Sequence, residues 1–535
     1  MRMPRLENEK GDPSPPTDSV VLAVYAPFGA DEVLSRYPDG TSQELAQHPL
    51  FQGLLKVAAQ RVHVVALIDL HDDDTYLVEI EAGRPQDVRV TSRWKQAMQE
   101  PRNLAGFLLH AHNAHPTAAV VLALEGHGAG FLPDLDPTQI TIKNVTENGS
   151  IEWHISNGQS VPQDHSGAPT LPMGGPTLPM GGPTLPGGQG PLSTWGLAAA
   201  LKMAEDAGVP KLPVIHFNNC FNLSVELMHT IAAQAHYATG YANYNFFTAG
   251  ATYPAVFEQL RNAGAASAEQ LAVWFAFANR DFLHAKGNHP TMGGVVPLAR
   301  MRDVAERIDD LADALLAAMR TATPATRPLV IGKIRAAIKD AQQYDTEATQ
   351  ELEVPDELTD IRSLAVELQK HDFGPFKVAA TAQALEKVLH GIQRYGENDR
   401  PWTDLSVRWD FDPSHKRLAM NIFLPDPMRK GLWDWRSPYY LTVNPDPNKP
   451  RVQPNIIDFV KVTDWVDFLL EYHKDVKFVG LLAPAIPAFP VFNATFELPK
   501  PDTGDDDDCD DHGDPGNPDG TPGAAGDSPK GPTSN

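Results

Sequence analysis

Cysteine is nearly absent: the 535 residues hold two, Cys220 in an apolar stretch and Cys509 in a polar tail. A disulfide framework is thereby excluded, and a reducing, cytoplasmic setting suits the chain. Long apolar runs are missing too. No stretch of about 18 apolar residues occurs, which argues against a membrane-spanning helix, and residues 1–17 lack the apolar centre of a secretory leader. Basic residues are outnumbered by acidic ones, 44 to 68, for a net charge of −24. Phosphate backbones are held by clustered Lys and Arg, so nucleic acid is not an expected partner. Carboxylates at EF-hand spacing are also lacking, which leaves a calcium requirement without support. His71-Asp72-Asp73-Asp74 sets its candidate ligands side by side, as a polar turn before a hairpin does, so no metal ligand is nominated and no cofactor is required.

With 42% hydrophobic residues, the chain has enough apolar surface for two or three structural units. Its first part alternates strand and helix patterns: a strand over 19–25, a helix over 43–59, a strand over 62–69 and a helix over 103–113. That order predicts an α/β fold, a mostly parallel sheet with helices on both faces. Two further runs, 117–124 and 213–217, are continuously apolar rather than alternating, as strands buried on both faces are. The first leads into Gly126-His127-Gly128 and the second into Asn218-Asn219-Cys220.

In open parallel sheets, working residues collect beyond the carboxyl ends of the strands. A histidine and a cysteine placed there suggest a thiol nucleophile with a proton-transfer partner, the chemistry of a cysteine peptidase. Apolar residues Leu223, Leu227, Met228, Ile231 and Ala235 follow Cys220 at helical spacing, which predicts the thiol at or just before a helix N-terminus. A free thiol is only about 3% ionised at pH 7, and the helix dipole or an imidazolium would raise that fraction. Taken alone, Cys220 also reads as a small buried hydrophobe. A third reading makes Gly126, Gly128 and Gly130 a phosphate-cradling loop; Phe131 at the sixth fingerprint position and Pro133 where a helix should begin oppose it.

From 133 to 191 the periodic pattern stops, and near copies of Pro-Thr-Leu-Pro-Met-Gly-Gly begin at Pro169, Pro176 and Pro183. This low-complexity stretch, 134–192, reads as a mobile insert inside a catalytic domain spanning 18–260. Ser193 or Thr194 then caps a helix. A helical region follows over 261–400, with Val304, Ile308, Leu311 and Leu315 at core spacing, and a smaller C-terminal α+β region over 401–499. Residues 1–17 and 500–535 read as disordered ends. The latter carries ten Asp against two Lys; a solvated tail is the plainer reading and a cation- or partner-binding one the alternative.

Leu124-Glu125-Gly126-His127-Gly128-Ala129-Gly130-Phe131 and Phe217-Asn218-Asn219-Cys220 resemble the paired signatures of caspase-like cysteine peptidases, and of the clostripain family in particular. Val21 to Tyr25, Arg102 to His115, Tyr237-Ala238-Thr239-Gly240 with Tyr253, and later Met420 to Pro425 with Trp465, Phe468, Leu469 and Tyr472 extend the likeness loosely over 19–475. The resemblance implies a three-layer α/β/α sandwich that hydrolyses peptide bonds of protein substrates. Cys220 would be the nucleophile, His127 the general acid/base, and the backbone N–H groups of Gly128 and Cys220 the oxyanion hole.

One position departs from the family pattern. Two residues before the cysteine the family carries an aspartate for a basic P1 side chain; here it is Asn218, an amide that lacks the charge for such pairing. Asn218, Tyr241 and Asn243 are the candidate pocket residues. Family members are often cut between histidine and cysteine, so the insert is a candidate processing linker with Lys143 as its obvious basic site, cut by the chain itself or by an upstream activating protease. Two functions therefore stand: an endopeptidase, held as a zymogen in a bacterial defence cascade, or a catalytically silent scaffold of the same fold that binds a protein partner.

Overall fold

The computed structural model describes residues 16–28, 32–36, 44–70, 75–94, 98, 100–126, 128, 130–131, 140–145, 151–155, 192–243, 245, 248–287, 292–344, 358–395, 418–424 and 457–474. Thirteen strands run through these residues: β1 Val20–Pro27, β2 His63–Asp69, β3 Thr75–Ile80, β4 Val88–Trp94, β5 Ala119–Glu125, β6 Ile140–Val145, β7 Ile151–Ile155, β8 Leu212–Asn218, β9 Ala235–Tyr241, β10 Gly293–Pro297, β11 Leu358–Asp360, β12 Gln393–Tyr395 and β13 Asn421–Phe423. Nine of them form one sheet in the order β12-β10-β9-β8-β5-β1-β2-β3-β4. The five central strands, β9 to β2 in that order, pair in parallel, and two antiparallel strands flank them on each side.

The continuous apolar runs follow from this position. In β1, Val21, Ala23 and Tyr25 enter one core while Val20, Leu22, Val24 and Ala26 enter the other, because successive side chains leave a strand on opposite faces. The first core is completed by the helices Pro101–Ala114, Thr194–Asp206 and Met301–Thr321, and the second by Pro49–Ala59, Tyr253–Ala263 and Ala268–Gly287. The result is the expected α/β/α sandwich. Helices Ile361–Leu368, Val378–Leu389, Asp458–Val462 and Trp465–His473 add their apolar faces to the first core rather than building a separate one.

Element ends obey local chemistry. Ser193 accepts from the Gly196 N–H at 2.8 Å and starts the next helix, as its sequence predicts. The helix expected from 43 instead begins at Pro49, where the ring fixes a helical φ and has no N–H to lose; residues Leu45–Gln47 form a short 3-10 turn before it.

Two expectations are corrected. The segment 133–191 is not without regular structure: β6 and β7 pair antiparallel within it. Ile140 and Ile142, and Ile151, Trp153 and Ile155, alternate with polar residues, a period-2 signal masked by the low-complexity repeats that follow. Those repeats lie outside the described residues, as do 71–74. Nor does Cys220 open a helix. The next helix is Val225–Thr230, capped by Ser224, and Ala235 already begins β9. The apolar spacing after Cys220 therefore merges a short helix with the start of a strand.

The turn after Cys220 is braced from far along the chain. The Asn421 side-chain amide donates to the carbonyls of Phe221 and Ala242 at 2.8 and 2.7 Å, and the Phe423 N–H donates to Glu226 at 2.8 Å. Replacing Asn421 with Ala removes two buried hydrogen bonds, which should cost roughly 2 kcal/mol. Denaturant unfolding of Asn421→Ala beside the parent chain checks this; a change below about 0.5 kcal/mol would remove the brace from the account.

Candidate active site

Glu125 and Asn218 are the last residues of β5 and β8 and face each other in the parallel register. Both are buried. The Asn218 amide nitrogen lies 3.0 Å from each Glu125 carboxylate oxygen and 3.0 Å from the Thr248 hydroxyl. The Tyr253 hydroxyl also donates to Glu125. From there the network runs on: Asn245 donates to Asn218 at 2.9 Å, and Asn279 donates to Asn245 at 3.0 Å and to the Tyr241 hydroxyl at 2.6 Å. It ends at the thiol, since Cys220 Sγ donates to the Asn245 carbonyl at 3.4 Å.

Beyond these strand ends the two signature loops meet. A Cβ built on Gly128 would fall 2.0 Å from the Cys220 carbonyl oxygen and 2.9 Å from the Asn222 amide nitrogen, so the site admits only glycine unless backbone shifts. Gly126 and Gly130 are needed for another reason: their φ angles, +110° and +71°, lie where side chains are strained. The three alternating glycines thus bend one loop onto the turn of the other. Phe221, directly after the cysteine, holds a φ of 58° without being glycine, backbone strain of the kind found at working turns.

His127 lies outside the described residues, between Gly126 and Gly128, which are described. Among the described residues, no backbone carbonyl accepts from the N–H of Gly128 or of Cys220, the two groups named for an oxyanion. The three candidate pocket residues are all buried in internal hydrogen bonds. Asn218 and Tyr241 belong to the network above, and Asn243 accepts from the Met292 N–H at 2.7 Å and, through its carbonyl, from the Phe221 N–H at 2.8 Å. Lys143 lies in β6 at the register shift between Ile142 and Asn144.

Electrostatics differ from the sequence expectation. Burial pushes the Cys220 thiol up to about 12 against a smaller opposing effect of its bond to the Asn245 carbonyl. The helix N-terminus expected beside it lies further on, at Val225, so among the described residues burial sets the direction and favours the protonated thiol. Burial likewise raises Glu125 to about 7, although the donors Tyr253 and Asn218 favour its charged form. His216 on β8 belongs elsewhere. Burial pulls it down to about 3, and its neutral ring stacks on Phe275 while Nδ1 meets the Thr239 hydroxyl at 2.6 Å.

Sequence reasoning passed over Glu125, Asn245, Thr248, Asn279 and Asn421. Glu125 had a signal: a carboxylate ending an apolar strand, opposite a polar residue ending the next. Asn421 sits in a segment singled out by resemblance and Asn245 and Thr248 just past the nominated Asn243, but no local pattern marks their side chains, or that of Asn279, for this network.

No family model matches the chain, and no curated protein matches it either. Among solved structures it is similar to C11, clostripain-like, cysteine proteases of caspase-like fold. One is a secreted C11 protease from Bacteroides thetaiotaomicron, iotapain, at 13% identity and TM-score 0.45, covering 76% of this chain and 93% of that one. A second structure of a secreted C11 protease from that organism, with an irreversible peptide inhibitor, gives 14% and 0.48 over 84% and 99%. An inactive zymogen C11 protease from Parabacteroides distasonis gives 12% and 0.44 over 87% and 99%. The likeness is one of fold.

Two predictions follow from the titrating groups. Glu125 binds its proton more tightly folded, near pH 7, than unfolded, near 4.5. Its contribution is thus fully present below pH 4.5 and lost as pH rises through 7, up to about 3 kcal/mol in all. Denaturant midpoints at pH 5 and pH 8 should show this loss in the parent chain and not in Glu125→Gln; equal losses in both chains would assign it elsewhere. Cys220, as a protonated thiol, should be alkylated by iodoacetamide at pH 7 about tenfold more slowly than glutathione. Peptide mass mapping separates it from Cys509, and a rate equal to or above glutathione would mean that the thiol is ionised at rest.

Proposed function

We propose that the chain is a cysteine endopeptidase that hydrolyses protein substrates through Cys220 and His127 in a cytoplasmic setting, with no cofactor. The observation that carries this reading is the packing of Gly128 on the Cys220 carbonyl. It brings the residue adjoining His127 into contact with the residue bearing the thiol, beyond the carboxyl ends of adjacent parallel strands. In the proposed reaction, Cys220 passes its proton to His127 as Sγ attacks the substrate carbonyl carbon. The negative oxygen is held by the Gly128 and Cys220 N–H groups. His127 protonates the leaving amine, and water then hydrolyses the thioester. A buried resting thiol fits an enzyme whose nucleophile is activated only when substrate and imidazole are both in place.

Regulation forms the second part of the proposal. The chain between His127 and Cys220 holds the β6–β7 hairpin and the proline-glycine repeats. A cut there, at Lys143 or by an upstream protease, would free the two signature loops from one covalent connection, as suits a zymogen in a bacterial defence cascade. The same burial of Cys220 favours the second reading, a silent scaffold that binds a partner protein.

Peptide-library cleavage separates the two. Parent chain, Cys220→Ala and His127→Ala are assayed with the insert intact and after it is cut. The parent should cleave, and each variant should fall by about a thousandfold or more. Equal signal from all three chains, or none from the parent in either state, would overturn the peptidase assignment. N-terminal sequencing of active parent enzyme decides the regulatory part, which fails if the insert is uncut.

A further inference from the structure

The other end of the central strands, at the amino ends of β1, β2 and β5, carries a cluster that the proteolytic site does not use. β1 lies between β5 and β2, with Val20 paired to Ala119 and Val21 to His63. His63 opens β2. β3 runs antiparallel beside it with Ile80 against Val64, which sets Glu81, the next residue, across from His63. His115 stands in the joint between the helix Pro101–Ala114 and β5, and that joint crosses the amino end of β1, where the Ala119 N–H bonds the Ser19 carbonyl at 2.9 Å. Three segments remote in sequence therefore bring two imidazoles and a carboxylate together.

Their geometry is that of a partly assembled ligand set. One nitrogen from each histidine and one Glu81 oxygen all lie within 4.8 Å of one another. His63 Nδ1 is 3.1 Å from Glu81 Oε2, and the two histidine rings stack with centroids 3.8 Å apart at 29°. The Ala82 N–H also approaches His63 Nδ1, at 3.4 Å. At 3.1 Å, His63 Nδ1 and the Glu81 oxygen attract each other if Nδ1 carries a proton to donate, and otherwise only if a cation lies between them. The second imidazole beside the first makes a metal ion the alternative to that proton. Glu79 does not compete, being held by His110 at 3.1 Å and Arg89 at 3.0 Å.

We propose that His63, Glu81 and His115 bind a divalent transition-metal ion of the zinc class. Two imidazoles and one carboxylate are a ligand set that Zn²⁺ takes, with water in the fourth position. Bonds of about 2.0–2.2 Å would set the ligand atoms roughly 3.4 Å apart. The His63–Glu81 pair, at 3.1 Å, is close to that spacing, and His115, whose ring stacks on that of His63, would have to turn to aim a nitrogen at the same ion. The site is half-buried and open on the Glu81 side, which leaves room for entry. Bound metal would tie the β2–β3 hairpin to the joint before β5, and an ion that binds only the folded chain stabilises it.

The test uses the full chain, freed of metal by a chelator and titrated with ZnCl₂ in a calorimeter, with Co²⁺ absorption as a second readout. The parent should bind one equivalent that His63→Ala and His115→Ala both lose, and Glu81→Gln should weaken it about tenfold. Zn²⁺ should raise the melting temperature of the parent and not of the histidine variants. Because Glu81 is exposed, Glu81→Gln keeps the question open to test even if a histidine variant fails to fold. Unchanged affinity and stoichiometry in the variants would assign the ion to another place, such as the acidic tail or the thiol. No binding by the parent at micromolar Zn²⁺ would leave His63–Glu81 an ion pair only. Either result overturns the proposal.

Discussion

The site depends on one buried contact, the pairing of Glu125 with Asn218 where β5 and β8 end side by side. Each residue is the last paired position before its chain leaves the sheet. The contact therefore sets where the Gly126–Gly130 loop and the Asn219–Cys220 turn depart, and how far apart they start. An amide that donates to both oxygens of a carboxyl tolerates little displacement, because a buried polar group that loses its partner costs more than the bond is worth in water. Tyr253, Thr248, Asn245 and Asn279 then tie this point to two helices and to the carbonyl that holds the thiol. Positioning of Cys220 is a property of this network more than of its own neighbours in sequence.

What the sequence makes legible is whatever depends on local pattern. The central strands stand out because burial on both faces makes them continuously apolar, and Ser193, Gly126 and Gly130 stand out because caps and positive φ angles have few solutions. Contributions that arrive through tertiary structure leave little trace. Asn421 lies some two hundred residues from the turn it braces, and although the segment Met420 to Pro425 stands out by resemblance, nothing local ties its asparagine to that turn. The surroundings of the thiol are hidden for a related reason. Helical spacing after Cys220 suggested a dipole beside the sulfur, but the helix begins only after Ser224, and burial sets the balance instead. The β6–β7 hairpin was lost among repeats whose composition dominates the region.

Asn218 and Glu125 also explain each other. An aspartate at 218, as the clostripain pattern has it, would set a second carboxylate about 3 Å from Glu125, and two buried carboxylates at that range cannot both ionise. With Glu125 in place, an amide is the residue that fits, since it supplies donors to the carboxyl and an acceptor to Asn245. A carboxyl is present at this level of the sheet all the same. It sits one strand over, on β5, where burial and three donated hydrogen bonds oppose each other and leave the group titrating near neutrality.

That exchange has a consequence for recognition. A carboxylate that pairs with a basic side chain must present at least one oxygen to the substrate, whereas both Glu125 oxygens here already accept from Asn218 and one from Tyr253. To meet a substrate cation, Glu125 would have to give up bonds that also fix the departure of both signature loops, so binding and positioning would compete for the same atoms. Charge-assisted pairing of Glu125 with an outside cation would therefore cost the hydrogen bonds that hold the two strand ends together. The carboxyl is best understood as the fixed post to which the turn bearing Cys220 is fastened, a role that the apolar walls of β5 and β8 make possible by keeping water away from it.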